Sequence, residues 1–590
     1  MNLSQRKLRL FSILAIPAIT LLFVSPVVAS GAASTLPTGK APLHVSSPFL
    51  QVSLLDPSFN PNSPVGGVPF CSSGSLGTIL CLSPSYLKTA YGFPSFGNFG
   101  LTGHGSTIVI VDAFGSPTLQ SDLNTFDATF GIPATTVTIL CGPTWTGSAT
   151  DDCPVKTVAD FNTVGNTPAG QSCGGPAGVE GWAEETSLDV AMSHSLAPGA
   201  KIVVVVANDC FDSSLYGAES AVVAQHKYDG SIMSQSFGEP DDLVTCTALD
   251  PTGTYCAAFD PTLLNLPNTV FQAAEHHHWT VIASSGDDGA NENARVLLSG
   301  ELTPSFPATS PLVLAAGGTQ GNPYGGQYGA PPGPGGTESC PAFNFCNIGL
   351  VVINGGLNGC GTAARPGEPS SCIPVKYGGE AAWNEFNTFG IGTSTGGGVS
   401  ALYSRPSYQS GTPDQYTTLL GNTVQATGRT TPDVAFNSAI QGGFLVYLGF
   451  LGVWGVFGGT SASSPAWAAI MAILDQAHGG PVGFINPAIY KLGESQSSSG
   501  FHWFGSAFHD ITSGENSDTQ GAANPIATYY GLPTVCPPPL NPSPTLPLSS
   551  CVLDGFTATH GYDLTTGWGT PNVSLFIFQI QQFLHGEDGR

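Results

Sequence analysis

Four apolar runs constrain this chain most. TIVIVD at 107–112, KIVVVVA at 201–207, WTVIASS at 279–285 and LVLAAGG at 312–318 lack the polar alternation of a half-exposed strand. Strands of this kind are covered on both faces. Helical patterns accompany them at 179–196, 269–278 and 464–477. Buried strands separated by helices predict an α/β fold with a mostly parallel central sheet flanked by helices. Two stretches break the rhythm, about 319–380 and 530–555. They are rich in Gly, Pro and Cys and read as disulfide-pinned loop insertions. Residues 30–81, rich in Ser, Pro and Gly, read as a short linker or wrapped extension. The ordered domain is then expected over 82–590, and no internal repeat is visible.

Charge narrows the function. Acidic residues outnumber basic ones 40 to 15, a net charge of −25 at pH 7. That argues against a nucleic-acid partner, because phosphates need Lys and Arg. At low pH the carboxylates protonate, and so few basic groups leave little positive self-repulsion. Acid tolerance and an acidic surface at neutral pH fit this composition equally well. The N-terminus places Arg6, Lys7 and Arg9 before an apolar run at 11–28, followed by VVASGAAS. This reads as a signal peptide over 1–29, giving a secreted chain with no membrane contact after cleavage. An uncleaved anchor is the alternative. Residues 575–584 read as an amphipathic helix. Fourteen cysteines in an exported chain imply disulfides. Proximity couples Cys71 with Cys81, Cys141 with Cys153, Cys246 with Cys256, Cys340 with Cys346, Cys360 with Cys372 and Cys536 with Cys551. Cys173 and Cys210 remain for a longer link, although sequence does not fix connectivity.

The segment GGTSASSPAWAAIMAILDQAHGG passes from glycines through small hydroxylated residues into an apolar helix. Pro465 suits a first helical turn, which places Ser461 just before a helix N-terminus, where negative charge is favoured. Read alone, such serines cap the helix. A nucleophilic serine needs a base and a group that orients it. In GWAEETSLDVAMSHSL, Glu185 and Asp189 stand four apart on one helix face, while Glu184 points elsewhere. Two close carboxylates cannot both ionise cheaply, so a shared proton gives one acceptor and one holder. A solvated acidic patch fits poorly beside Trp182, Leu188, Val190 and Ala191. WTVIASSGDDGA then delivers Asp287 and Asp288 after a buried strand. An oxyanion needs hydrogen-bond donors, and an aspartate donates only when protonated. By itself the segment is an Asp-Asp-Gly turn.

GTSASSP resembles the nucleophile motif shared by subtilases and sedolisins, the serine-carboxyl peptidases. A subtilase carries its histidine base in an HGTH-like segment after a strand ending in Asp. Here TIVIVD ends in Asp112, no such segment follows, and HGS at 104–106 precedes the strand. EETSLD followed by APGAKI resembles the sedolisin acid pair, which implies Glu185 as general base and Asp189 as its orienting partner. SGD resembles the sedolisin oxyanion motif, implying Asp287, with Asp288 the local alternative. Asp112 is either a further carboxylate near Glu185 or a strand cap. The likeness spans about 82–572 and includes LSPSYLKTAYG, IVDAFGSPTLQSDL, FPATSPLVLAAGGT, GGGVSALYSRPSYQ and RTTPDVAFNS.

SQSFG resembles the strand lining the family's peptide cleft, so Ser236, Phe237 and Gly238 would pair with substrate backbone, with Phe237 where Trp is common. HDITSGENSD and THGYDLTTGWGTPN resemble the family's calcium site. That implies carboxylates from Asp510 and Asp563 and carbonyls from Ile511, Thr559 and Gly561, with Thr559 where Gly is usual. The resemblance implies a subtilisin-like three-layer fold, Ca2+ as cofactor, and a monomeric endopeptidase cutting proteins or peptides at acidic pH. A tripeptidyl exopeptidase, a subtilase and a non-catalytic binding module are the alternatives. Many members carry a large N-terminal prodomain, for which the roughly 50 residues between signal and domain are too few. His276, His277 and His278 read as charge at a helix C-terminus rather than a metal site.

Overall fold

The computed structural model describes residues 49–54, 70–73, 77–94, 100–142, 145, 152–241, 264–292, 302–321, 377, 379–385, 393–440, 442–498, 505–517, 519–521, 550–552 and 554–584. The leader and Cys246, Cys256, Cys340, Cys346, Cys360, Cys372 and Cys536 lie outside them, as does most of both expected insertions. Of the three described disulfides, Cys71–Cys81 and Cys141–Cys153 follow the pairing expected from proximity, and Cys173–Cys210 is the longer link that remained.

The central sheet has eight strands: β1 (Thr107–Ala113), β2 (Thr138–Leu140), β3 (Lys201–Ala207), β4 (Ile232–Gln235), β5 (Thr280–Ser284), β6 (Leu314–Gly321), β7 (Glu380–Ala382) and β8 (Val434–Asn437). Their order is β2-β3-β1-β4-β5-β6, and β6 pairs further with β7 and β8. Every pairing is parallel except β6 with β7. Parallel strands need both faces covered, which is why Ile108–Val111 and Val203–Val206 are fully apolar and buried.

Five helices matter for the site: α1 (Leu119–Phe130), α2 (Gly175–Leu196), α3 (Asp212–Val223), α4 (Asn265–His276) and α5 (Thr460–His478). Helices α2 and α5 pack on each other and on the sheet, while α3 packs on α4 and on β1 and β3. The result is the expected subtilisin-like three-layer arrangement. From Glu185 to Leu196, twelve consecutive residues of α2 are buried, so the helix is enclosed on all sides.

One local expectation is corrected. Helix α5 starts at Thr460, four residues earlier than its apolar pattern, with Gly459 at the N-cap. Ser461 therefore lies inside the first turn, and Pro465 is internal. An internal proline removes the N–H that would bond the carbonyl four residues back. That carbonyl belongs to Ser461, and its replacement partner is part of the site described below.

Strand 49–54 pairs antiparallel with Val453–Phe457, and strands 70–73 and 77–82 complete the same small barrel with Gly443–Leu448. This N-terminal segment thus braces the hairpin that ends three residues before α5. Among the described residues no helix is long and apolar enough to cross a membrane.

A buried ion pair fixes β6 to the segment entering β8. Arg429 Nη2 lies 2.6 Å from Asp433 Oδ2, with neither side chain exposed. Asp433 also accepts from Ala315 N–H (2.8 Å) and Tyr490 O–H (2.5 Å). Removing one partner of such a pair leaves an uncompensated buried charge, which costs about 3–5 kcal/mol. Arg429→Ala is therefore expected to lower unfolding free energy by about that much in a denaturant titration. A change below about 1 kcal/mol would mean that water or relaxation replaces the arginine.

Candidate active site

The site forms at the carboxyl ends of the parallel strands, the usual crevice of open α/β sheets. After β5 the chain turns through Ser285–Asp288. Gly286 has φ +105°, and a Cβ there would lie 2.5 Å from Glu292 Oε2. Only glycine suits both demands. The following Asp287 is clamped to the start of α5, because its Oδ1 accepts from the Thr460 N–H (2.7 Å) and the Thr460 hydroxyl (2.7 Å). Thr460 is the residue before Ser461, so the clamp holds Asp287 beside the nucleophile candidate. Both Ser461 and Asp287 are only 4% exposed.

The Gly-rich segment 394–398 braces this turn from outside. Ser394 N–H bonds Asp287 O (2.9 Å), Gly396 N–H bonds Gly286 O (2.7 Å), and Ser285 Oγ bonds Gly396 O (2.8 Å). A Cβ at Gly396 would sit 2.0 Å from Ser285 O. The glycine block GGGVS therefore permits a backbone approach to the Asp287 turn. Asp288, the local alternative, pairs through its backbone with Ser394.

The acid pair lies on α2 as its spacing predicts. Glu185 and Asp189 are fully buried, together with Asp112 at the end of β1. Burial pushes the Asp189 carboxyl well above the usual carboxylate range. The charges of Asp112 and Glu185 push the same way, while Ser236 opposes. Burial raises Asp112 to about 7, opposed by the Thr186 hydroxyl. Three carboxyl groups thus share one buried pocket, where ionising all of them together is costly.

Ser236 joins this pocket to α5. Its Oγ lies 2.9 Å from Asp189 Oδ1 and 3.3 Å from the Ser461 carbonyl oxygen. That is the carbonyl left without a helical donor by Pro465. The proline thus opens an acceptor that Ser236 uses to tie β4 to both halves of the site. A second link between the same elements joins Ser234 Oγ and Ser464 Oγ at 2.9 Å.

Comparison with known proteins supports the fold. The chain is 28% identical to kumamolisin of Bacillus sp. (strain MN-32) over 436 residues, covering 74% of this chain and 57% of that protein. It is 26% identical to sedolisin of Pseudomonas sp. (strain 101) over 324 residues, covering 54% and 38%. The structure of Pseudomonas sedolisin, a serine-carboxyl proteinase complexed with two molecules of pseudo-iodotyrostatin, matches with a TM-score of 0.53 at 21% identity, covering 86% of this chain and 99% of that one.

These likenesses support the sedolisin family.

No family model matches it. It spans little more than half the length of kumamolisin and under two fifths of sedolisin. A probable tripeptidyl-peptidase SED2 of Arthroderma benhamiae is 34% identical over 184 residues, covering 30% of this chain and 25% of that protein.

Within the sedolisin framework the residues around SQSFG divide their roles. The Phe237 ring is 2% exposed and sits 6.3 Å from Trp182 and 6.1 Å from Tyr216, centroid to centroid, so it packs as core. At Gly238 a Cβ would meet Ser305 Oγ at 2.2 Å, and Glu239–Pro240 pair with Ser305–Phe306. The residues expected to hold calcium come from two segments that meet, one at Asp510 and Ile511 and one at Thr559, Gly561 and Asp563. Asp510 accepts from Gly561 N–H (3.1 Å), and Asp563 Oδ2 accepts from Thr559 N–H (3.0 Å). Asp563 Oδ1 accepts from Thr565 and Thr566, Ile511 is buried, and His560 Nδ1 contacts Asp510. Two carboxylates flank a loop that offers backbone oxygens at Thr559 and Gly561, a hard-oxygen donor set that suits calcium.

Sequence reasoning missed Thr460 as the residue holding Asp287, and it gave Ser236 no side-chain role. Thr460 stands next to the nucleophile candidate, and that was the available signal. Nothing local marked Ser236 Oγ as a bridge, because both of its partners come from other elements.

Proposed function

We propose that this chain is a secreted, acid-active serine-carboxyl endopeptidase that hydrolyses proteins or peptides. The observation that carries the reading is the Ser236 bridge, which ties the Asp189 pocket to the backbone of Ser461. In this reading Ser461 Oγ attacks the scissile carbonyl carbon and passes its proton to Glu185. Asp189 positions Glu185 and stabilises its protonated form. Asp287, protonated, donates to the developing oxyanion. Glu185 then returns the proton to the leaving amine, and water repeats the sequence on the acyl-enzyme to release the acid. Asp287 must hold its proton to act as donor, which ties the activity to low pH. The N-terminal leader and the disulfides support secretion.

The test is digestion of a denatured protein across about pH 3–8. The reading requires most activity on the acid side. A maximum above neutrality would overturn it. A tripeptidyl exopeptidase is the second reading, favoured by the likeness to the Arthroderma protein. The two separate on peptides with acetylated N-termini, which an endopeptidase cuts and a tripeptidyl-peptidase leaves intact.

Calcium is proposed as a structural ion held by the Asp510 and Asp563 carboxylates and the carbonyls of Ile511, Thr559 and Gly561. It would fasten the segment around Asp510 to the 559–566 loop. A ligand at a thousandfold its Kd stabilises the folded state by about 4 kcal/mol. Chelation is therefore expected to lower the melting temperature by several degrees. Asp510→Asn should remove that calcium-dependent increment. An unchanged increment in the variant would remove the site.

A further inference from the structure

We propose that His226, Asp229 and His277 form a surface site for a borderline divalent cation of the zinc type. In the sequence, His276–His278 appear as three histidines at a helix end. The fold brings His277 to a different segment 50 residues away, the turn His226–Tyr228 and Asp229. His226 Nδ1 lies 3.4 Å and His277 Nδ1 3.3 Å from the same Asp229 Oδ2, and the three ligand atoms lie within 4.8 Å of one another. A tetrahedral zinc ion with bonds of about 2.0–2.1 Å holds its ligand atoms about 3.3–3.4 Å apart. Two of the three edges already have that length. Two imidazoles and one carboxylate are a donor set that zinc takes with a water in the remaining position.

The backbone under the cluster is fixed. Asp229 N–H bonds His226 O (3.3 Å) and Gly230 N–H bonds His277 O (2.9 Å). His277 N–H is held by Ala273 O at the end of α4, and Thr280 N–H bonds Ser231 O (3.1 Å). The His226 and His277 rings lie 4.7 Å apart, centroid to centroid. The cluster is also open to an incoming ion, with His226 70%, Asp229 39% and His277 26% exposed. An ordinary His–Asp–His hydrogen-bonded cluster would show the same distances, so only metal affinity distinguishes the two.

The site stands at the amino ends of β4 and β5, whose carboxyl ends lead to Ser236 and Asp287. Seven residues separate Asp229 from Ser236, on the order of 20 Å of extended chain. A bound ion would therefore join the entries of two central strands without touching the chemistry.

The experiment uses the full chain, stripped of metal and returned to excess calcium at about pH 7.5, where histidine is available as a ligand. Zinc is added against a chromophoric chelator, and the melting temperature is followed. One zinc per chain at micromolar affinity or tighter is expected, with a rise in melting temperature. His226→Ala combined with His277→Ala should weaken zinc binding by tenfold or more and abolish the rise. Asp229→Asn should weaken it less, since an amide oxygen is a poorer ligand. Because these side chains lie at the surface, the variants should fold and keep basal activity. Equal zinc affinity in wild type and the double variant, or no binding in either, overturns the proposal.

Discussion

Ser461→Ala is expected to reduce peptidase kcat/KM by at least about 10⁴-fold while leaving the fold intact. The backbone of Ser461 meets Ser236 of the Asp189 pocket, and the preceding Thr460 holds the Asp287 turn, so the structure seats this nucleophile candidate between the two. Removing it deletes the acyl-enzyme route, and the remaining donors supply only residual rate enhancement. The structural cost should be small. The Ser461 carbonyl that meets Ser236, and the Thr460 contacts to Asp287, belong to atoms the substitution keeps. An unchanged melting temperature with lost activity is therefore the expected pair of readings. Activity within tenfold of wild type would place the nucleophile elsewhere. Asp287→Ala provides the complementary case, because loss of one oxyanion donor costs about 10²–10³ in kcat. The Thr460 N–H would then lose its acceptor, while the hydroxyl keeps the Gly286 carbonyl at 3.1 Å, so this variant should also soften the start of α5.

Stability is expected to fall markedly as pH rises from about 4 to about 7. Burial raises Asp112, Asp212 and Asp475 each from 3.8 to about 7, and raises Asp189, Glu219, Glu239, Asp241 and Glu380 as well. The sign follows from proton binding. Between the unfolded and folded values, the folded chain holds protons that the unfolded chain has released, so raising pH favours unfolding. The stabilisation is complete below the unfolded carboxyl range and is lost as pH passes through about 7. One rise from 3.8 to about 7 corresponds to about 4 kcal/mol at most. Coupling and relaxation reduce the sum, but several such groups make the loss large against a total stability of about 5–15 kcal/mol. The measurement is melting temperature against pH. A constant or rising value from about pH 4 to 7.5 would mean that these carboxyls find partners or water that burial alone does not suggest. The acidic optimum proposed for catalysis and the expected stability optimum fall in the same range for one physical reason: carboxyl groups placed where ionisation is costly.

Much of the site was legible because its parts are local. Glu185 and Asp189 share a helix face by spacing alone. Ser461 lies among small residues at a helix start. Asp287 follows a buried strand directly. Two of the described disulfides, Cys71–Cys81 and Cys141–Cys153, also obey proximity, since a short loop closes at low entropic cost. The start of α5 was misjudged because Thr460, Ser461, Ser463 and Ser464 are weak helix formers, and their helical state is imposed by packing against α2 and the sheet. Strand β4 was hard to read as buried because Ser234 and Gln235 are polar. They are fully enclosed all the same, and Ser234 finds Ser464 across the interface. Asp112 was ambiguous for a different reason. A strand-end aspartate looks alike whether it caps a strand or faces another carboxylate.

The amino-acid sequence alone determined the candidate groups and the elements on which each of them stands. Hydrophobic period, helical spacing and residue type act over short stretches. Only the tertiary structure decided which of these groups meet. Sheet order brings β1, β4 and β5 side by side, and the packing of α2 on α5 brings the Asp189 pocket to Ser461 through Ser236. The same non-local packing joins His277 to His226 and Asp229. Such meetings depend on contacts between residues 40 to more than 200 positions apart, whose energies no local window of sequence contains.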